Sequence, residues 1–467
     1  MPKELLALLV CCLFFILVKI ISISLTEFNL YGDEAQYWLW SKEISFGYFS
    51  KPPLLAWLIG LVTSIFGNSF VVLKSIPALI YCITSYLVFI FTKKLFNDSH
   101  LAYICALTFF LLPSVTLSSF LISTDVLLIL FWTWSLIQLL IIKESPSYFN
   151  FMVFGLLLGL AFLAKYAALY FLISLALLLI VEKSFRQVFL KSKLKLATSL
   201  LIFLIILSPN ILWNYINNWP TISHTADNAS LDKISLSFIG LFSFLSSQIV
   251  MVGPVLCFGF LLCLNKITNI GTSEKFLICF ALPALAIVLI ESFLVRAHAN
   301  WAAVSLVTLS IFFISVVYKY KRKILYMNNY LNLAVGFVLF AMIAANFPIG
   351  VFDRISGVKS FVQFLEDTNQ KNFDNIVVSD RLLFANLKYE YHSKQLNFYS
   401  PHVPGNKISN HFQLKNALPK NFNNNFILVG NKDDISYLQK KIKIKLVDSR
   451  LFPFDNKKIK IYEVHIY

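Results

Sequence analysis

The chain has 467 residues, of which 58% are hydrophobic and 14% charged, and its formal net charge is +16. This balance, with a mean hydropathy of +0.72, excludes an ordinary water-soluble domain and indicates a polytopic membrane protein. The positive charges form short clusters between apolar runs of membrane-spanning length. They therefore indicate membrane topology and argue against nucleic-acid binding.

A helix crosses a bilayer with about 20 apolar residues. By that rule the sequence predicts about eleven transmembrane helices. They are expected near residues 5–25, 70–92, 101–117, 125–142, 150–164, 167–182, 196–213, 250–264, 276–295, 301–318 and 329–348. The first follows Lys3 and has no small-residue cleavage pattern after it, which is typical of an uncleaved signal anchor.

Lysine and arginine clusters between these spans predict their orientation, because short basic loops stay in the cytoplasm. The clusters near residues 93–94, 143, 183–195, 266–275 and 319–323 all fall on one side, together with the N-terminus. The opposite side receives the stretch Tyr31 to Trp57, the loops at Asp125 and Lys165, and the sequence "RAHANW". Everything after Asn346 is expected on that outer side as well.

The composition changes at about residue 350. Short apolar strands, "NIVVSD", "FILVG" and "KIKIYEVHIY", alternate with polar turns, and "SDRLLFANLKYEYHSKQ" has helical spacing. We therefore expect a transmembrane domain at 1–349 and a small outer α/β domain at 350–467. Helices lying at the outer membrane surface are expected at about 30–66 and from Leu231.

The stretch "YGDEAQYWLWSKEISFGYFSKPPLLAW" is unusually rich in chemistry for a connecting loop. Asp33 and Glu34 begin a predicted amphipathic helix whose apolar side would rest on lipid, and a helix start favours carboxylates. Lys51 precedes two prolines that hold it extended, so it can present a fixed charge to a phosphate. Solvated acids and a lysine reaching toward the membrane surface are the simpler alternatives.

Few other polar groups lie on the outer side, and ionisable groups at membrane depth usually face a cavity. They are Asp125, Lys165, Tyr166, Glu291, Arg296, His298 and Asn300. His224 is a lone loop histidine, and Lys19 and Lys74 are interpreted first as snorkelling residues, with Lys74 the better functional candidate.

Carboxylates near one end of a cavity, with Lys51, Lys165 and Arg296 available to bind an anion, suit transfer of a group from a lipid-linked phosphate. Phosphate is a competent leaving group once cations stabilise its charge, so the reaction needs mainly a base for the acceptor hydroxyl. The sequence contains neither a P-loop motif nor a dinucleotide-binding motif. A sugar substrate is therefore expected to arrive already attached to a lipid.

Five motifs in order carry a family resemblance. They are "DEAQYWLW...GYFSKPPLLAWL", "STDVLLILFW", "GLLLGLAFLAKYAALYFL", "PNILWN...W" and "ANWAA". Together they resemble the bacterial glycosyltransferases related to protein O-mannosyltransferases and to the lipid A aminoarabinose transferase, which have the GT-C membrane fold. The likeness covers roughly residues 28 to 310, and the outer domain is similar to their C-terminal part.

The resemblance implies an inverting glycosyltransferase of the bacterial inner membrane that uses a polyprenyl-phosphate sugar on the periplasmic side. It assigns Asp33 as catalytic base, with Glu34 as second acid or positioning group. Lys51 and Lys165 match the family's cationic positions, and with Arg296 they form the expected donor-phosphate site. The expected substrate contacts are Tyr37, Asp125, Tyr166, His298 and Asn300.

One departure is Ser50, because the aminoarabinose transferases have Glu at that position. No cofactor is required by this scheme, although a divalent cation held by Asp33, Glu34 and Asp125 stays open. The expected acceptor is lipid A, the lipopolysaccharide core or another glycolipid or glycan of the envelope. The alternatives are protein O-mannosylation and a flippase or transporter of polyprenyl-linked sugars, and the one-sided clustering of polar groups favours an enzyme.

Overall fold

The computed structural model describes residues 3–229, 235–348, 350, 352–368, 373–452 and 457–467. The chain forms two compact units. The first unit comprises Met1–Ser24, Lys51–Leu55 and Val71–Ala341, and the second comprises Leu25–Ser50, Ala56–Phe70 and Met342–Tyr467. The segment around Asp33 thus belongs to the same unit as the C-terminal residues.

Nineteen α-helices and five strands are found in the described residues. The helices are α1 (Lys3–Leu25), α2 (Gly32–Trp40), α3 (Leu54–Phe66), α4 (Phe70–Phe96), α5 (Ser99–Phe110), α6 (Pro113–Ser118), α7 (Thr124–Glu144), α8 (Tyr148–Ala164), α9 (Leu169–Val181), α10 (Lys183–Lys191), α11 (Lys193–Ile216), α12 (Pro220–Ala229), α13 (Phe238–Val252), α14 (Pro254–Leu261), α15 (Thr272–Leu294), α16 (Ser305–Ala344), α17 (Val358–Thr368), α18 (Arg381–Glu390) and α19 (His411–Lys415). The strands are β1 (Asn375–Val378), β2 (Asn397–Tyr399), β3 (Phe426–Val429), β4 (Ile442–Phe452) and β5 (Lys457–Ile466).

Fewer helices qualify as membrane spans than the sequence predicts. Among the described residues, six are long and apolar enough by length and composition: α1, α4, α7, α11, α15 and α16. Two bent pairs raise the number to eight if each counts as one span: α9 with α10, bent by 107°, and α13 with α14, bent by 97°. The polytopic helical class is confirmed, whereas the count of eleven is higher than these criteria give.

The difference in count has local causes. The predicted span 101–117 is divided into α5 and α6 because Pro113 lacks an amide hydrogen and disfavours helix at the residue before it. The last two predicted spans correspond to the two parts of the 40-residue α16, which are separated at Lys321, where φ is −144° and ψ is 48°; α16 nevertheless counts as one helix in the total of six. The surface helix expected from Leu231 begins outside the described residues, and its described part belongs to α13.

Close packing of α8 against α11 organises part of the first unit. A Cβ added at Gly155 would lie 2.1 Å from the backbone oxygen of Ser199, so the two helices approach as closely as a glycine allows. α8 also packs against α7, most of whose side chains are buried, including Trp132 and Gln138. These contacts hold the ends of α7 and α8, where Asp125 and Lys165 lie.

The second unit contains a five-stranded mixed sheet in the order β2-β1-β3-β5-β4. The first three strands in that order pair in parallel, and β5 pairs antiparallel with β3 and β4. The predicted strands and the helix between the first two of them are confirmed. Buried strand residues such as Val377, Leu428 and Val464 belong to the hydrophobic core of this unit.

Candidate active site

The two carboxylates at the start of α2 have different surroundings. Glu34 is 1% exposed, and its Oε2 accepts the Tyr31 amide hydrogen at 2.7 Å. That bond satisfies a donor at the helix start that has no partner within the helix. The Asp33 side chain, by contrast, remains 36% exposed. Asp33 is therefore accessible to a substrate, while Glu34 holds the beginning of the helix.

Asp33 has a basic neighbour that the sequence did not identify. Arg381 Nη1 lies 3.3 Å from Asp33 Oδ1 and donates to Gln36 Oε1 at 3.0 Å. Arg381 is the first residue of α18, which begins there because Asp380 accepts hydrogen bonds from two first-turn amides. The sequence "SDR" indicates that a helix starts here, because Ser and Asp often precede a first helical residue. It does not indicate that the arginine contacts Asp33.

The aromatic side of α2 packs against protein. Tyr37, Trp38 and Trp40 are at most 6% exposed, and α2 contacts α18 along its length. The Trp38 ring lies 5.0 Å from that of Tyr389. The prediction that this side rests on lipid is therefore wrong, because the C-terminal residues supply the apolar partner. Tyr37, a predicted substrate contact, is buried and packs its ring 5.3 Å from Trp40.

Gly32 allows the close approach of α2 to α18. A Cβ at this position would lie 2.6 Å from Leu382 Cβ. We expect Gly32→Ala to lower the melting temperature and the transfer rate, because overpacking costs about 1–3 kcal/mol and displaces the turn that carries Asp33. The combined variant with Leu382→Ala should recover both. Gly271→Ala is a matched control, since its added Cβ would meet only the flexible end of Glu274; an equal loss there would contradict the explanation.

Asp125 and Lys165 form a largely buried ion pair in the first unit. Lys165 Nζ lies 2.6 Å from Asp125 Oδ1, and the two side chains are 16% and 11% exposed. Asn300 Nδ2 donates to the other carboxylate oxygen at 2.9 Å. Lys165 is held in extended conformation where α8 ends, with φ of −161°. Three residues predicted separately as site residues are thus brought together.

Tyr166 belongs to a neighbouring polar cluster. Its hydroxyl donates to Asn210 Oδ1 at 2.6 Å and accepts from Asn214 Nδ2 at 3.2 Å. Both asparagines lie in α11, within the motif "PNILWN", and both are buried. This motif therefore fixes the turn that carries Lys165 and Tyr166.

The "RAHANW" segment connects α15 to α16 and is anchored from two directions. Gln248 Nε2 donates to the Ala299 carbonyl at 2.9 Å, and Trp301 packs on the apolar cluster of Phe244 and Val288. Arg296 and His298 are exposed. Partial burial and, secondarily, the Arg296 charge lower the pKa of His298, which favours its neutral form at neutral pH.

Lys19 and Lys74 have structural surroundings. They are 1% and 4% exposed, so the interpretation of either as a snorkelling residue is wrong. Lys74 Nζ donates to the Phe120 carbonyl at 3.0 Å, and Lys19 Nζ donates to that of Ser119. These two bonds hold the backbone of the loop that leads to Asp125.

The other candidates are placed as follows. Lys51 is partly buried and precedes two buried prolines in the first unit. Glu291 lies near the end of α15, and His224 lies in α12. In the ranges that the structure describes, no group of three or more His, Cys, Asp or Glu side chains has a metal-binding arrangement. Glu34 and Asp125 each accept a protein hydrogen bond, and the divalent cation suggested for Asp33, Glu34 and Asp125 stays a prediction.

Comparison with known proteins supports a sugar-transfer enzyme. A family model described as dolichyl-phosphate-mannose-protein mannosyltransferase matches residues 50–213. The lipid A galacturonosyltransferase RgtD of Rhizobium johnstonii is 27% identical over 418 residues, covering 87% of this chain and 86% of that protein. The chain is a glycosyltransferase.

Solved structures of another membrane enzyme have the same overall fold. ArnT from Cupriavidus metallidurans in the apo state aligns with a TM-score of 0.68 at 13% identity, covering 98% of this chain and 97% of that one. The same enzyme bound to undecaprenyl phosphate aligns with a TM-score of 0.66 at 14% identity, covering 99% and 98%. The expected GT-C fold is confirmed.

Proposed function

We propose that this glycosyltransferase moves one monosaccharide from a polyprenyl phosphate to lipid A on the periplasmic face of a bacterial inner membrane. The observation that carries the proposal is the alignment with a lipid A galacturonosyltransferase over 87% of this chain. The polyprenyl donor is supported by the similar fold of ArnT, which has been solved with undecaprenyl phosphate. The basic loops on one side of the apolar helices support the orientation.

In the proposed reaction an acceptor hydroxyl attacks the anomeric carbon of the donor sugar. The new bond joins that oxygen to the sugar, the bond from the sugar to the phosphate oxygen breaks, and polyprenyl phosphate leaves. Asp33 takes the hydroxyl proton, because it is the accessible carboxylate of α2. Glu34 positions Asp33 by holding the helix start, and Arg381 orients the Asp33 carboxylate.

Cations are proposed to stabilise the leaving phosphate. Lys51, Lys165 and Arg296 take this role, since ammonium and guanidinium groups match the charge that develops on phosphate oxygens. Asp125 and Asn300 act through Lys165, because both bond within the same cluster. His298 is exposed and is assigned to substrate contact. Tyr37 and Tyr166 are assigned to support the site through packing and hydrogen bonds.

A second candidate function is transfer to hydroxyl groups of proteins. The family model over residues 50–213, named for protein mannosyltransferases, favours it. The relative that aligns over most of the chain acts on lipid A, and therefore the glycolipid acceptor is our leading proposal.

The proposed function can be tested with purified protein in detergent. Undecaprenyl phosphate carrying galacturonic acid or aminoarabinose would be supplied as donor, with lipid A or a serine- and threonine-rich peptide as acceptor. We expect mass spectrometry to find lipid A heavier by one sugar residue with one of these donors. Labelled peptide together with unchanged lipid A would instead support protein glycosylation and overturn the lipid acceptor.

A further inference from the structure

A cleft of about 180 Å³ lies within the second unit. Trp38, Trp40 and Lys42 line it from α2 and the turn that follows, and Lys388, His392 and His411 line it from the C-terminal residues. A cleft of this size admits a small polar ligand and is too small for a polymer.

Lys388 gives the cleft its charge. This side chain is largely buried in the middle of α18. Burial lowers the pKa of the Lys388 ammonium, and neighbouring Glu43 opposes that shift. Among the residues that the structure describes, Lys388 makes no hydrogen bond or ion pair. A largely buried ammonium group that makes no hydrogen bond is costly, so an anion bound beside it would stabilise the protein.

Further charges around the cleft are mostly positive. Lys42 Nζ donates to Asn68 Oδ1 at 2.6 Å and to Thr63 Oγ1 at 3.1 Å, which are neutral partners, so its charge is not compensated there. Lys394 is paired with Glu366 at 2.7 Å. Glu43 is the acid on the cleft wall, and it is exposed. The balance of lysines over carboxylates favours an anionic ligand.

Trp40 and His411 lie edge to face in the wall of the cleft and are 2% and 6% exposed. Their rings lie 5.4 Å apart, and Trp40 stacks on Tyr48 with an angle of 4° between the rings. Burial, together with Lys415 and Lys388, lowers the pKa of His411 to about 3, so its imidazole is neutral at physiological pH. Within the described residues, His411 Nδ1 and Trp40 Nε1 have no hydrogen-bond partner. Buried polar atoms of this kind normally have one.

We propose that this cleft binds a phosphorylated sugar, and specifically the phosphorylated head group of the glycolipid acceptor. Lys388 and Lys42 contact the phosphate, since ammonium groups bind phosphate as point charges. The exposed ring of His392 in the cleft wall packs against the ring of the sugar, whose C–H face is apolar while its hydroxyls remain able to hydrogen-bond. The assignment to the acceptor rests on the proposed function, whereas binding of a phosphosugar does not.

Binding can be measured with glucosamine 1-phosphate as a soluble probe and the full-length protein in nanodiscs. Isothermal titration calorimetry should show an affinity that Lys388→Gln weakens by roughly 10- to 100-fold, because the variant removes a charged, partly desolvated contact. Lys42→Gln should weaken it less, since Lys42 is exposed. Lys420→Gln removes the same charge from an exposed site outside the cleft and should leave binding unchanged.

Folding can be checked in the same preparations. Lys388→Gln should melt at or above the wild-type temperature, because it removes an unpaired buried charge. Lys42→Gln provides a second variant with little risk of misfolding. Equal affinity of the wild type and both variants for glucosamine 1-phosphate, or absence of binding, would overturn the proposed site.

A kinetic measurement with lipid A as acceptor tests the source of the phosphosugar. Lys388→Gln should raise the KM for lipid A about tenfold or more, with kcat and the KM for the donor little changed. An altered affinity for glucosamine 1-phosphate with unaltered lipid A kinetics would overturn the acceptor assignment in favour of a free phosphosugar. If the wild-type protein bound the probe but did not modify lipid A, the proposed function would be refuted, whereas the proposed phosphosugar site would be supported.

Discussion

Asp33→Asn is expected to reduce kcat for sugar transfer by about 100-fold or more, because a positioned general base contributes about 10²- to 10⁴-fold. The amide keeps the shape of the side chain but does not accept the hydroxyl proton. Both members of the Asp33–Arg381 pair are more than a third exposed, at 36% and 40%, so losing this ion pair should change stability little. The measurement is single-turnover transfer to lipid A, with the melting temperature recorded for the same sample.

Asp433→Asn is a suitable control for this variant. Asp433 is an exposed carboxylate in the same unit and in a short turn after β3, so the substitution changes net charge equally without touching α2. It should retain wild-type transfer. If Asp33→Asn kept wild-type kcat, Asp33 would not be the catalytic base. Its carboxylate would then serve substrate binding instead.

Breaking the Asp125–Lys165 pair is expected to have the largest effect on stability. Either Asp125→Asn or Lys165→Met alone should lower the free energy of unfolding by about 3–5 kcal/mol, because each leaves one charge largely buried without its partner. The side chains are only 11% and 16% exposed, so water compensates little. The double variant should recover most of the loss, since neither charge remains. Unfolding by titration with sodium dodecyl sulfate would measure all three.

An exposed ion pair in the same unit serves as the comparison. Lys94 and Glu144 also form a lysine–carboxylate pair, but their side chains are 25% and 60% exposed. The corresponding variants, Glu144→Gln and Lys94→Met, should change the free energy of unfolding by at most about 1 kcal/mol. Additive losses for Asp125 and Lys165, with no recovery in the double variant, would show that the two charges do not stabilise each other.

Several parts of the molecule could be predicted because they depend on short-range patterns. Long apolar runs indicated membrane-spanning helices, and alternating apolar residues with polar turns indicated the strands β1, β3 and β5. The count by length and composition falls below eleven partly because Pro113 divides one apolar run into two short helices, and partly because α16 counts once although it is interrupted at Lys321. A hydropathy profile averages over a window of residues, so it does not detect a break in the helical backbone that spans only one or two residues.

The candidate site was predicted in part. The candidates Asp125, Lys165 and Asn300 proved to be neighbours, although they are up to 175 positions apart. The function of Tyr166 as a partner of Asn210 and Asn214 was missed, because a hydrogen bond across 44 positions leaves no periodic signal. The placement of α2 on lipid was wrong for the same reason: an apolar stripe shows that a helix face is buried but not what buries it.

The sequence by itself determined the membrane class, the charge asymmetry of the loops and the chemical types available for sugar transfer, because these depend on composition and local spacing. The tertiary structure alone decided which groups became partners. In the folded chain Asp33 pairs with Arg381, Lys165 pairs with Asp125, and Glu34 caps the start of α2. Within the described residues, Lys388 makes no hydrogen bond or ion pair. The physical reason is that desolvation and pairing depend on contacts between distant segments. A lysine side chain can be a solvated surface group, one member of an ion pair or part of an anion-binding site, and its surroundings in the folded protein decide which.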